Sequence, residues 1–294
     1  MNLGRYLSSC AILVMVAGGV SPVSQAYGQV PGLSAQVPEM TGQDVVPVFE
    51  GWEPNPDGSF EMYFGYMNRN FEETPVIPIG PQNNFTPAEQ DRGQPTFFYP
   101  RRGMFIFHVR VPKDWGTKEL VWTLVSHGKT EKAYGHLLPV YIINNQLISA
   151  NVHSSSQLDI VDRDQPPVVK IAPVTGTVTL PGTLTLTATI TDDGIPKPKQ
   201  SGRGGRGSQP ESTFINDPLP IQARWPPGVN AIWTVYRGPA AVAFSPSGYQ
   251  AVVAGKDNIT LARFSEPGTY VLQLIASDSK LETQQSVTIS VVKP

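Results

Sequence analysis

The sequence predicts an all-β protein, two immunoglobulin-like β-sandwich domains in tandem after a signal peptide, and three observations carry that reading. Apolar residues alternate with polar ones at a period of two in both halves of the chain, as in Phe60, Met62, Phe64 and Tyr66 and again in Leu184, Leu186, Ala188 and Ile190. Few windows show the 3.6-residue period of an amphipathic helix. Turn formers are abundant, with 27 Gly and 29 Pro in 294 residues and only 16% charged residues, so many short strands with frequent reversals are expected. The run Glu266-Pro267-Gly268-Thr269-Tyr270-Val271-Leu272 has the spacing of a tyrosine corner, in which a buried Tyr hydroxyl bonds to upstream backbone as the chain enters a late sandwich strand.

The first 26 residues read as a signal peptide. Arg5 gives a positive start, residues 11–17 form a short apolar core, and Ser24-Gln25-Ala26 supplies small residues for cleavage. That apolar run is too short for a permanent membrane anchor. The single cysteine, Cys10, precedes the apolar core and is expected to leave with it. A mature chain without cysteine has no disulfides and no thiolate-held metal, which points to an exported bacterial envelope protein, periplasmic or on the cell surface. A formal net charge of −2 offers no broad basic face for nucleic acid.

Residues 27–44, rich in Pro, Gly and Gln, are expected to be a flexible leader. In an N-terminal domain of residues 45–165, strands are expected over 45–52, 60–67, 75–79, 104–111, 118–126 and 137–143. Asn55-Pro56-Asp57-Gly58 makes the hairpin turn between the first two. Asp164-Gln165-Pro166-Pro167 marks the boundary, because consecutive prolines donate no ladder hydrogen bonds and stiffen a linker.

The C-terminal domain, residues 166–294, offers three inward rows: Leu184 to Ile190, then Tyr270, Leu272, Leu274 and Ala276, then Val287, Ile289 and Val291. Trp233 falls where a sandwich carries its central core tryptophan. About residues 196–212, Lys, Arg, Gly and Pro with hardly an apolar anchor predict a mobile insertion.

Leu184-Thr185-Leu186-Thr187-Ala188-Thr189-Ile190-Thr191-Asp192-Asp193-Gly194, Trp233 with Gly238-Pro239, and Gly268-Thr269-Tyr270 with Ala276-Ser277-Asp278 together resemble the polycystic-kidney-disease (PKD) type and cadherin-like repeats of bacterial surface proteins. The pattern departs from the PKD type in lacking Gly-Asp-Gly after Trp233. The resemblance implies an extracellular sandwich used in adhesion, spacing, or carbohydrate and protein contact, and it implies no catalysis. Residues 27–165 resemble no family of known activity.

Two groups of residues are candidates for binding. Trp52, Tyr99 and Trp115 adjoin Pro, Gly or charged residues rather than apolar rows, so they are the aromatics expected to be exposed as a contact platform, with Arg101 and Arg102 as donors beside them. Asp162, Asp164, Asp192, Asp193 and Asp278 lie near the linker or at strand ends that meet at one pole. They are candidate calcium ligands, calcium being a cation that takes several oxygens from flexible loops. Turn-capping is their plainer role, and calcium then leaves stability unchanged.

His108, His127, His136 and His153 have no metal-ligand spacing and are expected to be isolated, on the surface or half-buried. No catalytic constellation emerges: no Gly-x-Ser-x-Gly elbow is present, and nothing selects a glycosidase pair among the glutamates. The expected function is therefore a non-enzymatic binding or scaffold protein contacting an envelope protein or polysaccharide. The alternative is an accessory subunit or binding module of an envelope polysaccharide-active or redox enzyme complex.

Overall fold

The computed structural model describes residues 38–153, 157–174, 176–197 and 225–294. The expected signal peptide and all but the first residues of the expected mobile insertion lie outside them. The protein is all-β, and residues 38–294 form one compact unit.

The N-terminal half is built from β1 (Val45–Pro54), β2 (Phe60–Asn68), β3 (Asn83–Thr86), β4 (Arg101–Val111), β5 (Leu120–Ser126) and β6 (Lys129–Gly135). Antiparallel sheets ordered β1-β2-β4 and β3-β5-β6 face each other. The alternation read from the sequence is what closes this core: Met62, Phe64 and Tyr66 leave β2 on one face and meet Phe85, Phe107 and Trp122, all buried. Phe85 stacks on Trp122 at 5.8 Å and Phe107 meets the same indole edge-on at 5.0 Å. The expected hairpin at Asn55–Gly58 is present, with Gly58 N–H donating to Asn55 O.

The C-terminal half follows as β7 (Val168–Ile171), β8 (Thr177–Thr179), β9 (Thr183–Thr191), β10 (Asn230–Arg237), β11 (Val242–Ser245), β12 (Gln250–Ala251), β13 (Asp257–Phe264), β14 (Gly268–Ser277) and β15 (Glu282–Val292). A five-stranded sheet, β12-β10-β14-β15-β8, packs on a four-stranded one, β11-β13-β9-β7. Leu186, Ala188 and Ile190 of β9 meet Trp233, Leu272, Leu274, Ile289 and Val291 in its core. The tyrosine corner is formed: Tyr270 is fully buried and its hydroxyl donates to Glu266 O at 2.9 Å. Its ring lies so close to Gly238 that a Cβ there would stand 2.5 Å from Tyr270 Cδ1, which explains the glycine.

Several elements differ from expectation. Residues 75–79 form no strand, only a bridge from Val76 to Phe97. Residues 137–143 form a short 3-10 turn, Pro139–Tyr141, followed by α1 (Asn145–Val152). Their apolar content mimics a strand, but Pro139 opens the turn, while Leu138, Val140, Tyr141 and Ile142 stay exposed. The end of the expected flexible leader is tied down: Met40 O accepts from Glu72 and Glu73 N–H, and buried Asp44 pairs with Arg69 and Lys129.

The two halves are joined by more than the Pro166-Pro167 connection. In the β10–β14 pairing Tyr236 is skipped, since Val235 faces Leu272 and Arg237 faces Val271. This bulge turns the edge of β10 toward the N-terminal half. There Tyr236 O accepts from Thr96 N–H at 3.1 Å, Tyr99 Oη accepts from Val235 N–H at 2.9 Å, and Arg237 grips Asp91 with two hydrogen bonds while donating to Gln94 O.

Candidate functional site

A cleft of about 300 Å³ opens where the halves meet. One wall is aromatic and comes from β2 and β4. Tyr63 and His108 are cross-strand partners, and their rings stack at 5.3 Å, with Phe105 edge-on to Tyr63. A register shift in this pair between Phe64 and Tyr66, together with a left-handed backbone at Phe105 (φ 52°), gives β4 the bulge that shapes this wall. His108 Nδ1 is 3.3 Å from Glu61 Oε2, and the Tyr63 hydroxyl donates to Glu53. Burial and the Glu53 carboxylate push the Tyr63 phenol well above its ordinary value, so it stays protonated.

The opposite wall comes from α1 and β15. Asn144 caps α1 by accepting from Leu147 N–H at 2.9 Å, which sets Asn145, Ile148 and Val152 along the cleft and His153 at its end. Lys280, Leu281, Glu282 and Gln284 complete it from the β14–β15 turn and the start of β15. His153 Nε2 lies 3.4 Å from Glu282 Oε1, and both His153 Nδ1 and Glu282 Oε1 are buried without a hydrogen-bond partner. Burial, with the Lys280 ammonium nearby, pulls His153 down to about 4; burial, with Asp278 nearby, pushes Glu282 up to about 7.

Beside the cleft is an acidic cluster, with Asp164 and Asp278 buried and Asp192 half-buried. Asp278, 2% exposed, spends Oδ1 on the backbone N–H groups of Lys280 and Leu281, and its Oδ2 has no partner. Asp192 caps Gly194 N–H with Oδ2 and leaves Oδ1 unpartnered, while Asp164, 5% exposed, has no partner for either oxygen. Burial first, then the Asp193 and Asp192 charges, raise Asp164 to about 6; burial first, then Asp164 and Asp192, raise Asp278 to about 7. Such groups keep protons that an exposed carboxyl would have lost.

Of the expected calcium ligands, the fold thus brings Asp164, Asp192 and Asp278 into one electrostatic neighbourhood, with Asp193 close by. Asp162 is exposed and accepts from Gln146 at 2.7 Å, and Asp193 caps Ile195 N–H. Among the described residues no three carboxylate, imidazole or thiol side chains gather closely enough to hold a metal ion.

The expected aromatic platform is corrected. Trp52 is 8% exposed and Trp115 6%, each a core residue whose indole N–H is spent on a backbone carbonyl, Leu138 O and Lys118 O respectively. A neighbouring Pro or charged residue did not bring these rings to the surface, because the indole N–H found a partner inside. Tyr99 is built into the joint. Arg102 is held by Glu50 at 2.6 Å and by Tyr66 and Gly103 carbonyls, and Arg101 lies 4.0 Å over the Phe71 ring and donates to Arg69 O, so their donors serve internal partners. His153 is a half-buried residue whose side chain is nearly inaccessible and lies against Glu282, and His127 pairs with Glu73, so neither is isolated.

Sequence reasoning missed Tyr63, His153 and Glu282 as a set. Tyr63 was legible only as the outward alternate of the Met62–Phe64 row, and nothing local marks residues that become neighbours through tertiary docking.

No protein-family description matches this sequence, and no curated protein does. Among solved structures the chain is similar to the fibronectin(III)-like modules of Clostridium thermocellum CbhA (TM-score 0.24, 11% identity, 84% of this chain and 95% of that one). It is also similar to titin domains z1z2 in complex with telethonin (0.23, 12%, 87% and 100%) and to the D0-D1 domain of Intimin (0.23, 8%, 84% and 100%). At these scores and identities the all-β assignment rests on the strand pairing and the two cores of the chain itself.

Proposed function

We propose that this chain is an exported, non-enzymatic binding or scaffold protein of the bacterial envelope, which presents the cleft between its two halves to a ligand. The observation that carries the reading is a cleft with one aromatic wall and one that mixes polar side chains with Ile148, Val152 and Leu281, the two halves being joined by the Tyr236, Tyr99 and Arg237 hydrogen bonds. Preformed concave sites between packed units are where ligands bind most often. In this reading the C-terminal sandwich is a PKD-type module supplying the second wall, residues 1–26 are removed on export, and no cofactor is required.

The test is retention of the protein on isolated envelope fractions, with His108→Ala and Gln284→Ala combined. Both residues are exposed, so the double variant is expected to melt normally and to lose retention. Unchanged retention would place the contact elsewhere. The exposed apolar run of Leu138, Val140, Tyr141 and Ile142 favours a second reading, an accessory subunit of an envelope polysaccharide-active or redox enzyme complex. Co-purification of a stoichiometric enzyme, lost on Val140→Asp, would decide for it.

A further inference from the structure

We infer that the cleft between the two halves takes a neutral, hydroxyl-rich ligand, a saccharide unit of a glycan. This rests on the cleft being the binding site and adds the chemical class. The stacked Tyr63–His108 pair with Phe105 edge-on offers a flat face of the kind that packs against the C–H face of a sugar ring. The imidazole is 53% exposed, so this face is reachable.

The facing wall carries the carboxamides of Asn145 and Gln284, both exposed; Asn145 supplies donors and an acceptor at once, while Gln284, whose Oε1 accepts from Gln273 Nε2 at 3.2 Å, supplies its donors. A hydroxyl also donates and accepts, so a polyol satisfies this wall without bringing a charge. Charge argues the same way. The lining places Lys280 beside Glu282, so neither sign is matched by a uniform counter-field, and the Asp164, Asp192 and Asp278 cluster stands nearby. A charged ligand of either sign would lose its own hydration against a lining whose ammonium belongs to Lys280, a residue 5% exposed, and whose neighbouring carboxyls are raised toward their neutral form. Size narrows the class further, since about 300 Å³ is at the small end for ligand sites and admits a ring or two rather than a folded peptide element or a lipid chain.

The experiment is an array of neutral glycans, uronate-bearing and sulfated glycans, and tripeptides, probed with the purified full chain and with Asn145→Ala, Gln284→Ala, Tyr63→Phe and Tyr63→Ala. Neutral glycans are expected to bind, at least tenfold more weakly with either carboxamide removed. Tyr63→Phe keeps the ring and is expected to retain binding; Tyr63→Ala is expected to lose it, and a melting curve of each variant separates lost contact from lost fold. Binding confined to acidic glycans overturns the neutral character of the ligand and binding confined to tripeptides overturns the saccharide class, and either, if weakened by the same variants, leaves the cleft as the site. Glycan binding indifferent to all four variants overturns the cleft, and no binding by any probe overturns both.

Discussion

Asp278 does two opposite things with its two oxygens. Oδ1 fixes the β14–β15 turn by accepting from Lys280 and Leu281 N–H, while Oδ2 is buried without a partner beside Asp164 and Asp192. A carboxyl held at about 7 against an ordinary value near 4 binds its proton more tightly in the folded state. Its contribution is therefore complete below pH 4 and is lost as pH rises through 7. Asp164, raised to about 6, and Glu282, raised to about 7, act in the same direction. His153, lowered to about 4, opposes them below about pH 6.5, one group against three. The melting temperature is expected to rise as pH falls from 8 to about 5, before paired carboxylates such as Asp44 and Asp91 begin to protonate. Asp278→Asn keeps an oxygen for the turn and removes the charge, so it is expected to stabilise the protein at pH 8 by about 1–3 kcal/mol and to flatten that rise. A parent whose melting temperature is level or falls over this range would refute the account. The sequence placed these aspartates at strand ends, which was legible, but not their burial, which arises only when the segments ending at Thr191, Ser277 and Arg163 meet.

At the scale of single elements, β14 was the most legible part of the chain and β6 the least. Tyr270, Leu272, Leu274 and Ala276 alternate as read because β14 is a central strand with a sheet neighbour on each side, and its inward row is nearly all apolar. Strand β6, Lys129–Gly135, buries only Ala133 and Gly135, so its polar sequence hides a strand that exists by pairing with β5. The reverse error occurred at 137–143, where apolar residues are exposed. The corner gives a prediction at this scale. Tyr270→Phe loses the bond to Glu266 O and is expected to cost about 1 kcal/mol. Gly238→Ala drives a methyl into the Tyr270 ring and is expected to cost about 1–3 kcal/mol. Urea denaturation measures both, and a Gly238→Ala variant as stable as the parent would show that the ring and the strand do not touch as described.

For the whole molecule the question is whether two cores make two folding units. A boundary at Asp164–Pro167 suggested so, and the prolines are there, but the contacts that lock the halves join residues 136 to 146 positions apart, beyond the reach of any local pattern. Their chemistry favours coupling. Arg237 and Asp91 form a bidentate pair, stronger and more directional than a simple surface ion pair, and the Arg237 guanidinium holds the Asp91 carboxyl below its ordinary value. Tyr99 Oη is the acceptor for Val235 N–H, so Tyr99→Phe strands that donor at a cost of about 1–3 kcal/mol. Neither half can leave without exposing Phe97, which sits in the C-terminal core although it belongs to the N-terminal chain. The parent is accordingly expected to unfold in one calorimetric transition. Tyr99→Phe combined with Arg237→Ala is expected to lower that transition by several degrees and broaden it or divide it in two, as the cores lose their coupling. Two resolved transitions in the parent itself would mean that the joint is a contact rather than a lock, and the cleft between the halves would then lose its preformed geometry.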